Sequence, residues 1–467
     1  MNKKIEKLLI LVTDFFTVNL SWIIFFYLRV QTGWFELLSQ PDFLLPLFAI
    51  YFYWLMIFTF VGMYRTWFAL SRFDELSTLF KSSFVGIFII LFLIMWDDYR
   101  TGVVSSFRFY IFLYWFIFLF VVGTGRLVVR SIQRNLLIKG IGRRNALIIG
   151  FNDKANQIHN TIHNHRALGL DVIAYIAVRE ENLGKEYNGI LVIDTVKNLE
   201  RIIDQYNIKN IIISIDRNNE DTMLEIISTC EGKNVSIKIV PDLYDIISGQ
   251  ARTSQIYGVP LIDIMPELMP EWEKKLKRLM DIVLSLALII ITFPITFLSA
   301  LAIRLESKGP IFYRQERMGM NGKIFRIVKF RTMIKDAEKY TGPVWSAKDD
   351  PRITKVGRLI RKMRVDEIPQ VFNVLKGDMS FVGPRPERPF FVEKLSQEIP
   401  LYKRRLKVRP GITGWAQVKH KYDETVEDVK VKLRYDLFYI ENISLRMDFK
   451  IIFRTIFVVL FGKGHYD

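Results

Sequence analysis

Four apolar runs lie before residue 130, Leu8 to Leu28, Phe43 to Val61, Leu79 to Trp96 and Phe109 to Val122, and a fifth covers Ile282 to Ile303. Each is near the ~20 residues that cross ~30 Å of hydrocarbon. A lipid-exposed backbone has to satisfy its own N–H and C=O groups, so such stretches fold as helices. The 50% hydrophobic share of the 467 residues is concentrated there, which points to membrane segments rather than an enlarged soluble core. Lys3, Lys4 and Lys7 precede the first run, which is too long for a signal peptide and lacks a small-residue cleavage site, so an uncleaved span is expected.

Basic residues alternate across these runs. Lys3, Lys4 and Lys7 come before the first, Arg65, Arg72 and Lys81 after the second, and Arg126, Arg130, Arg134, Lys139, Arg143 and Arg144 after the fourth; the intervening loops hold only Arg29, Arg100 and Arg108. The positive-inside bias then puts the N-terminus and everything beyond Arg126 in the cytoplasm. Asp14 and Asn19 fall inside the first run. With no second charge to face them, hydrogen bonding between helices is the expected use.

From Asn145 the pattern becomes β-α-β: ALIIG, LDVIAYIAV, NGILVI, NIIISI and VSIKIV separated by polar helical stretches. Short β-branched runs alternating with helices predict a parallel, doubly wound, Rossmann-like sheet. Its first strand-to-helix turn reads Gly150, Phe151, Asn152, Asp153, without the glycines that bring backbone onto a pyrophosphate. A structural or regulatory module is therefore expected. The stretch from Gln250 to Pro270, with Pro260, Pro266 and Pro270, reads as a connector. The predicted domains are residues 1–144, four transmembrane helices; 145–250, the α/β insert; 251–270, a linker; and 271–467, an α-rich domain. The fifth apolar run is basic on both flanks and carries Pro294 near its middle, which predicts a helix-break-helix that enters and leaves the membrane on one face.

The formal charge is +17, and residues 301–420 hold 27 Lys and Arg against 12 Asp and Glu. Such a block suits nucleic acid, anionic lipid or phosphorylated substrates; interruption by carboxylates and Gly-Pro turns favours the last two, and a solvated basic face is the bland account. No nucleic acid partner is expected. Cys230, the only cysteine, excludes an intrachain disulfide and reads as a buried apolar residue, and the five histidines show no zinc spacing. Within the basic block, Asp366 and Glu367 stand between Arg358, Arg361, Lys362 and Arg364 on one side and Pro384-Arg385-Pro386 on the other. A helix starting near Asp366, with Pro369 in its first turn and Gly377 past its end, would put a carboxylate where free N–H groups favour anions. Taken alone the pair would be an N-cap and a first-turn acid. Carboxylates among cations point instead to phosphate chemistry.

The residues also carry a resemblance. KFRTM (Lys329 to Met333), DPRIT (Asp350 to Thr354), the Asp366-Glu367 pair before Pro369-Gln370, LKGDMSFVGPRP (Leu375 to Pro386) and RPGITGWAQV (Arg409 to Val418) are similar to the bacterial polyprenyl-phosphate sugar-1-phosphate transferases, the monotopic phosphoglycosyl transferases. The motifs cover Trp272 to Asp467, and four spans with a Rossmann-like insert resemble that family's large members. The resemblance implies transfer of a sugar 1-phosphate from a UDP-sugar to undecaprenyl phosphate, releasing UMP, with Mg²⁺, at the cytoplasmic face of the bacterial inner membrane, to start capsule, exopolysaccharide or O-antigen units. It implies Asp366 as nucleophile and Glu367 as its partner in metal binding or proton handling. Arg361 and Arg385 are the first choices for the phosphates, with Lys329, Arg331, Arg358 and Arg364 behind them; Pro294 would break the re-entrant helix. Membrane lipid is an expected partner and a homodimer fits. Two rival readings are a glycosyltransferase that holds its donor through Asp349-Asp350 and releases UDP, and a non-catalytic membrane scaffold.

Overall fold

The structure is a computed structural model that describes residues 3–31, 42–64, 72–102, 107–215, 219–231, 233, 235–241, 253–256, 259–264, 269–334, 350–419 and 426–461. It divides into two compact units, the first holding 1–226, 233–266 and 270–272, the second 227–232, 267–269 and 273–467. The first four helices and the α/β sheet thus share one unit.

In the first unit, α1 (Lys3–Gln31), α2 (Leu44–Val61), α3 (Arg72–Thr101) and α4 (Phe107–Ile138) match the four apolar runs, each reaching as far or further in polar residues. They share a core in which the rings of Trp54 and Phe118 stack at 4.2 Å and Trp54 Nε1 donates to the Tyr114 hydroxyl at 2.9 Å. Outward-facing Phe52, Phe92, Phe116 and Phe120 are exposed, as expected of helices whose solvent is apolar. One expectation is corrected here: Asp14 does face a charge. Arg126 on α4 grips it through Nε (3.0 Å) and Nη2 (2.6 Å), and its Nη1 meets Glu75 Oε1 at 2.6 Å. Arg130 holds the other Glu75 oxygen at 2.8 Å, and Gln133 Nε2 donates to Glu6 at 2.7 Å. Three helices are tied by one buried network.

The sheet follows, with β1 (Arg144–Ile149), α5 (Asp153–Asn164), β2 (Leu170–Ala177), β3 (Glu186–Tyr187), β4 (Ile190–Thr195), α6 (Leu199–Gln205), β5 (Asn210–Ile213), α7 (Glu220–Cys230), β6 (Ser236–Ile239), β7 (Thr253–Ile256) and β8 (Val259–Ile264). Strand order is β3-β4-β2-β1-β5-β6-β8-β7, and the centre from β4 to β6 is parallel as expected. The predicted connector is corrected: its residues form β7 and β8, and β8 runs antiparallel to β6. Pro260 lies at the edge pair, where a missing N–H is tolerated. Order reverses between β1 and β5, where a doubly wound sheet opens its ligand crevice. There Asn152 Nδ2 donates to the Ser214 carbonyl (2.8 Å) and the Ser214 hydroxyl donates to Asn152 Oδ1 (3.0 Å). Gly150 is needed because a Cβ would lie 2.2 Å from that carbonyl. Cys230 is buried, as expected.

The second unit is built on α8 (Glu271–Glu306), of 36 residues. Proline removes an N–H and crowds the carbonyl four residues back, yet the chain stays helical through Pro294, so the expected interruption of the helix is not seen. Both ends of α8 dock on the same globular body. Near its start, Lys277 meets Asp448 Oδ2 at 2.5 Å, Arg278 donates to the carbonyls of Val374 (2.6 Å) and Leu375 (2.7 Å), and Asp281 accepts from Ser380 Oγ and Phe381 N at 3.0 Å. Near its end, Ile303 packs with Phe330, Ile360 and Val365. Between them Ile290, Ile291, Phe293 and Leu298 are exposed.

The body starts with an antiparallel hairpin, β9 (Phe312–Met318) and β10 (Ile324–Phe330). Then come α9 (Lys355–Lys362), a 3₁₀ segment (Val365–Gln370), α10 (Val371–Lys376), β11 (Ser380–Val382), α11 (Pro389–Glu398), β12 (Gly411–Thr413), α12 (Trp415–Lys419), α13 (Val426–Glu441) and α14 (Leu445–Phe461). β11 and β12 pair in parallel. α14 leaves Phe449, Phe453, Ile456 and Phe457 exposed on one face, while Lys450 and Arg454 reach the Trp415 ring at 5.2 and 5.4 Å.

Candidate active site

Three chain segments converge on Asp366 and Glu367. α9 is capped by Thr354, whose hydroxyl accepts from Gly357 N at 2.9 Å, and it ends at Arg364 in a left-handed turn (φ 55°). The next segment is 3₁₀ rather than the expected α-helix, with Pro369 inside it. Asp366 therefore heads no α-helix, and no α-helix dipole begins at it. A short 3₁₀ turn brings residues 366 and 367 out in succession beside β10. Asn373, buried on α10, fixes that placement by donating to Arg326 O (2.8 Å) and accepting from Val328 N (3.0 Å). With β10 locked against the 3₁₀–α10 segment, Lys329 sits over Glu367.

Glu367 Oε1 accepts from Lys329 Nζ at 2.8 Å and from Arg385 Nη2 at 2.6 Å. Asp366, by contrast, makes no side-chain hydrogen bond or ion pair among the described residues and is only partly enclosed. Burial works to raise the Glu367 pKa, but Arg385 and Lys329 outweigh it and hold the group well below the usual carboxylate range. For Asp366 burial dominates, Glu367 adds to it, and Lys329, Arg361 and Arg385 offset only part, so its pKa is raised. Burial lowers the Lys329 pKa, opposed by Glu367. Two adjacent acids thus have opposite characters. One is fixed and neutralised, the other poised and unbonded.

Arg385 belongs to a turn that is rigid by construction. Gly383 N donates to Thr413 O (2.9 Å), Gly411 N to Pro384 O (3.0 Å), and Arg405 Nη2 to the Arg385 carbonyl (3.1 Å). Arg405 is itself paired to buried Asp436 at 2.9 Å. A Cβ on Gly383 would come within 2.3 Å of Arg409 O, and one on Gly411 within 2.1 Å of Gly383 N, so the GPRP and RPGITG stretches interlock backbone to backbone.

The other sequence candidates separate. Arg361 Nε donates to the Thr332 hydroxyl at 2.8 Å, and its charge reaches both Asp366 and Asp350. Arg331 is corrected: it lies beyond the end of β10 and is buried, donating to the carbonyls of Ser307 (2.8 Å) and Lys308 (3.1 Å) and to Ser307 Oγ (2.8 Å). It closes the end of α8 and does not reach the carboxylates. Arg358 is exposed on α9, and Arg364 meets the pair only through its backbone in the turn, where Glu367 N donates to Arg364 O at 3.4 Å. Asp350 is clamped by Arg352 (2.6 Å), whose side chain and N–H hold its pKa down to about 2. Asp349 lies outside the described residues. Sequence reasoning missed Asn373, Arg352, Arg278 and Arg405, polar residues whose partners are distant in the chain or ordinary turn contacts.

Among the described residues no three His, Cys, Asp or Glu side chains cluster as a metal cage. The pair nonetheless suits Mg²⁺, which binds through one or two carboxylates with phosphate oxygens and water completing the shell; Asp366 has its oxygens open, while Glu367 is already engaged.

Residues 272–462 match the bacterial sugar transferase family, and 59–241 match a model described as a CoA-binding domain. The UDP-glucose:undecaprenyl-phosphate glucose-1-phosphate transferase of Klebsiella pneumoniae is 31% identical over 423 residues, 88% of each chain. Its namesake in Escherichia coli K12 is 31% identical over 333 residues, 70% of each chain. The UDP-N-acetylgalactosamine-undecaprenyl-phosphate N-acetylgalactosaminephosphotransferase of Aeromonas hydrophila is 39% identical over 238 residues, 51% of this chain and about half, 55%, of its own. The chain belongs to the bacterial sugar transferase family, as an enzyme of the undecaprenyl-phosphate sugar phosphotransferase group.

Proposed function

We propose that the protein transfers a sugar 1-phosphate from a UDP-sugar to undecaprenyl phosphate through a covalent phosphosugar on Asp366. The observation that carries this is the asymmetry of the pair: Glu367 gathers Lys329 and Arg385, and Asp366 stands beside them unbonded. An Asp366 oxygen bonds to the β-phosphorus as the bond to the bridging oxygen breaks, and UMP leaves with the electron pair. An oxygen of the lipid phosphate then attacks the same phosphorus; the phosphorus–Asp366 bond breaks and the carboxylate is restored. Lys329, Arg385 and Arg361 neutralise the phosphate oxygens so that one anion can approach another. Burial and the Glu367 charge keep Asp366 poorly stabilised as an anion, hence more basic and more nucleophilic. Mg²⁺, held by Asp366 and Glu367 with the donor's phosphates, would withdraw charge from the diphosphate.

The membrane arrangement belongs to the same reading. Among the described residues five helices are long and apolar enough to cross a bilayer, α8 among them. Four span the inner membrane with the catalytic unit in the cytoplasm, by the alternation of basic loops. For α8, anchorage of both ends to one globular body supports a re-entrant path, because a spanning helix would carry its ends to opposite sides of ~30 Å of hydrocarbon. α14, apolar on one face with Lys450 and Arg454 flanking, lies in the interface. The product starts a capsule, exopolysaccharide or O-antigen unit. The relatives' names include glucose and N-acetylgalactosamine, and the sugar is left to experiment.

Membranes bearing this protein, given undecaprenyl phosphate, Mg²⁺ and a panel of UDP-sugars, should release UMP with one donor, and Asp366→Asn should release none. UDP as product would mean cleavage at the sugar carbon and would overturn the assignment.

A further inference from the structure

A second group of cations gathers round the turn that carries Arg385. β9 ends against that turn, where Met318 N donates to Glu387 O at 2.9 Å, and this brings the preceding residue, Arg317, within reach of the charges of Arg385 and Arg388. Arg317 is largely enclosed. Its Nη2 donates to Gln315 Oε1 at 2.8 Å, but its Nε is buried with no acceptor among the described residues. The acid nearest to it, Glu387, is already bonded to Lys432 (3.1 Å) and lies 4.0 Å from Arg405, and Arg405 in turn holds Asp436. Burial, with repulsion from Arg385 and Arg388, lowers the Arg317 pKa, and Glu387 only partly opposes this.

An enclosed guanidinium repelled by two others, with an unfilled donor, is unfavourable unless an anion completes it. We propose that Arg317, with Arg385 and Arg388, forms an anion subsite occupied in turn by the phosphate of the departing nucleoside monophosphate and by the phosphate of the lipid acceptor. The inference rests on the reading of Asp366 as nucleophile. Arg385 is shared: one edge of it holds Glu367 beside Asp366, and its charge, like that of Arg388, reaches Arg317. A phosphate joined to the one that Asp366 attacks therefore falls to this corner. In-line displacement adds the second occupant. The leaving oxygen departs opposite Asp366, and the acceptor oxygen must later approach from that same side. One set of donors thus serves both phosphates, never together.

The test uses the full chain in membranes without lipid acceptor, where labelled UMP exchanges into the UDP-sugar by the first half-reaction alone. Arg317→Gln should raise the UMP concentration for half-maximal exchange at least tenfold and raise the KM for undecaprenyl phosphate by a similar factor, and Arg317→Lys should recover part of both. Weak inhibition by uridine, which lacks the phosphate, should stay within twofold of wild type in the same preparations, and this also reports that the variant is folded. An unchanged UMP constant overturns the subsite, and an unchanged lipid KM overturns its second occupant. Wild-type protein that releases UDP, or exchanges no UMP, would instead overturn the reading on which the subsite rests.

Discussion

Two acid–arginine clusters, one among the N-terminal helices and one around Asp366, are finished differently. In the first unit Asp14, Glu75, Arg126 and Arg130 answer one another oxygen for nitrogen, Arg126 spending all three of its nitrogens on two carboxylates. In the second unit, among the described residues, Glu367 takes two cations on one oxygen while Asp366 takes none, and Arg317 keeps a buried N–H without an acceptor. A network closed on itself can only hold helices together. One with open valences waits for something that is not protein. The side chains of the first cluster are at most 5% exposed and those of Lys329, Glu367 and Arg385 are 18–37% exposed, so openness and the state of completion together separate scaffold from chemistry.

The comparison can be broken at either end. Asp366→Asn should cut turnover by about 10³-fold or more, yet its melting temperature at pH 7 should equal or exceed wild type. The Asp366 pKa is raised on folding, so its favourable contribution is present below the unfolded value near 3.9 and lost as pH rises through the folded one. The stability gap between variant and wild type should therefore close below about pH 4; a variant less stable at pH 7 would place Asp366 in a structural network. Arg126→Met should behave oppositely, losing about 3–5 kcal/mol because two buried carboxylates lose their partner. Thermal unfolding in detergent reads this, and an unshifted transition would mean that the helix network is not closed.

Smaller changes sharpen the contrast. Glu367→Gln removes the like charge next to Asp366 and frees Lys329 and Arg385 to favour the Asp366 anion. The acid limb of kcat/KM should move to lower pH while kcat falls about tenfold, ~1.4 kcal/mol; a limb that moves upward contradicts the assignment. Arg331→Gln should lower stability by about 1–2 kcal/mol and leave the KM for the UDP-sugar within about twofold, since it serves the end of α8. A selective rise in that KM would return Arg331 to the phosphates.

Much of the candidate pair was legible in the residues. Asp366, Glu367, Lys329 and Arg385 occur in long motifs, and the structure bonds Lys329 and Arg385 to Glu367, next to Asp366. Arg331 lies in the same KFRTM motif as Lys329, and the motif does not tell that its guanidinium turns away to the carbonyls of Ser307 and Lys308. The Asp14–Arg126 pair joins residues 112 apart, and hydropathy carries no signal for which polar residue of one helix faces which of another. β7 and β8 were taken for a linker because prolines mark turns as readily as edge strands. The 3₁₀ geometry at Asp366 was hidden for a similar reason: Pro369 fits an α-helix's first turn and a 3₁₀ interior equally well.

Gly383 and Gly411 have a consequence for how such an enzyme can be rebuilt. Their backbones touch where any Cβ would collide, so the Pro384-Arg385-Pro386 turn and the Arg409–Gly414 stretch are two halves of one part, though α11 and more than twenty residues separate them in sequence. Chimaeras that draw these halves from different parents, with a crossover anywhere between residues 387 and 408, inherit mismatched halves of a single joint. Donor preference would be exchanged more safely by moving the whole block from β11 through β12 as one cassette.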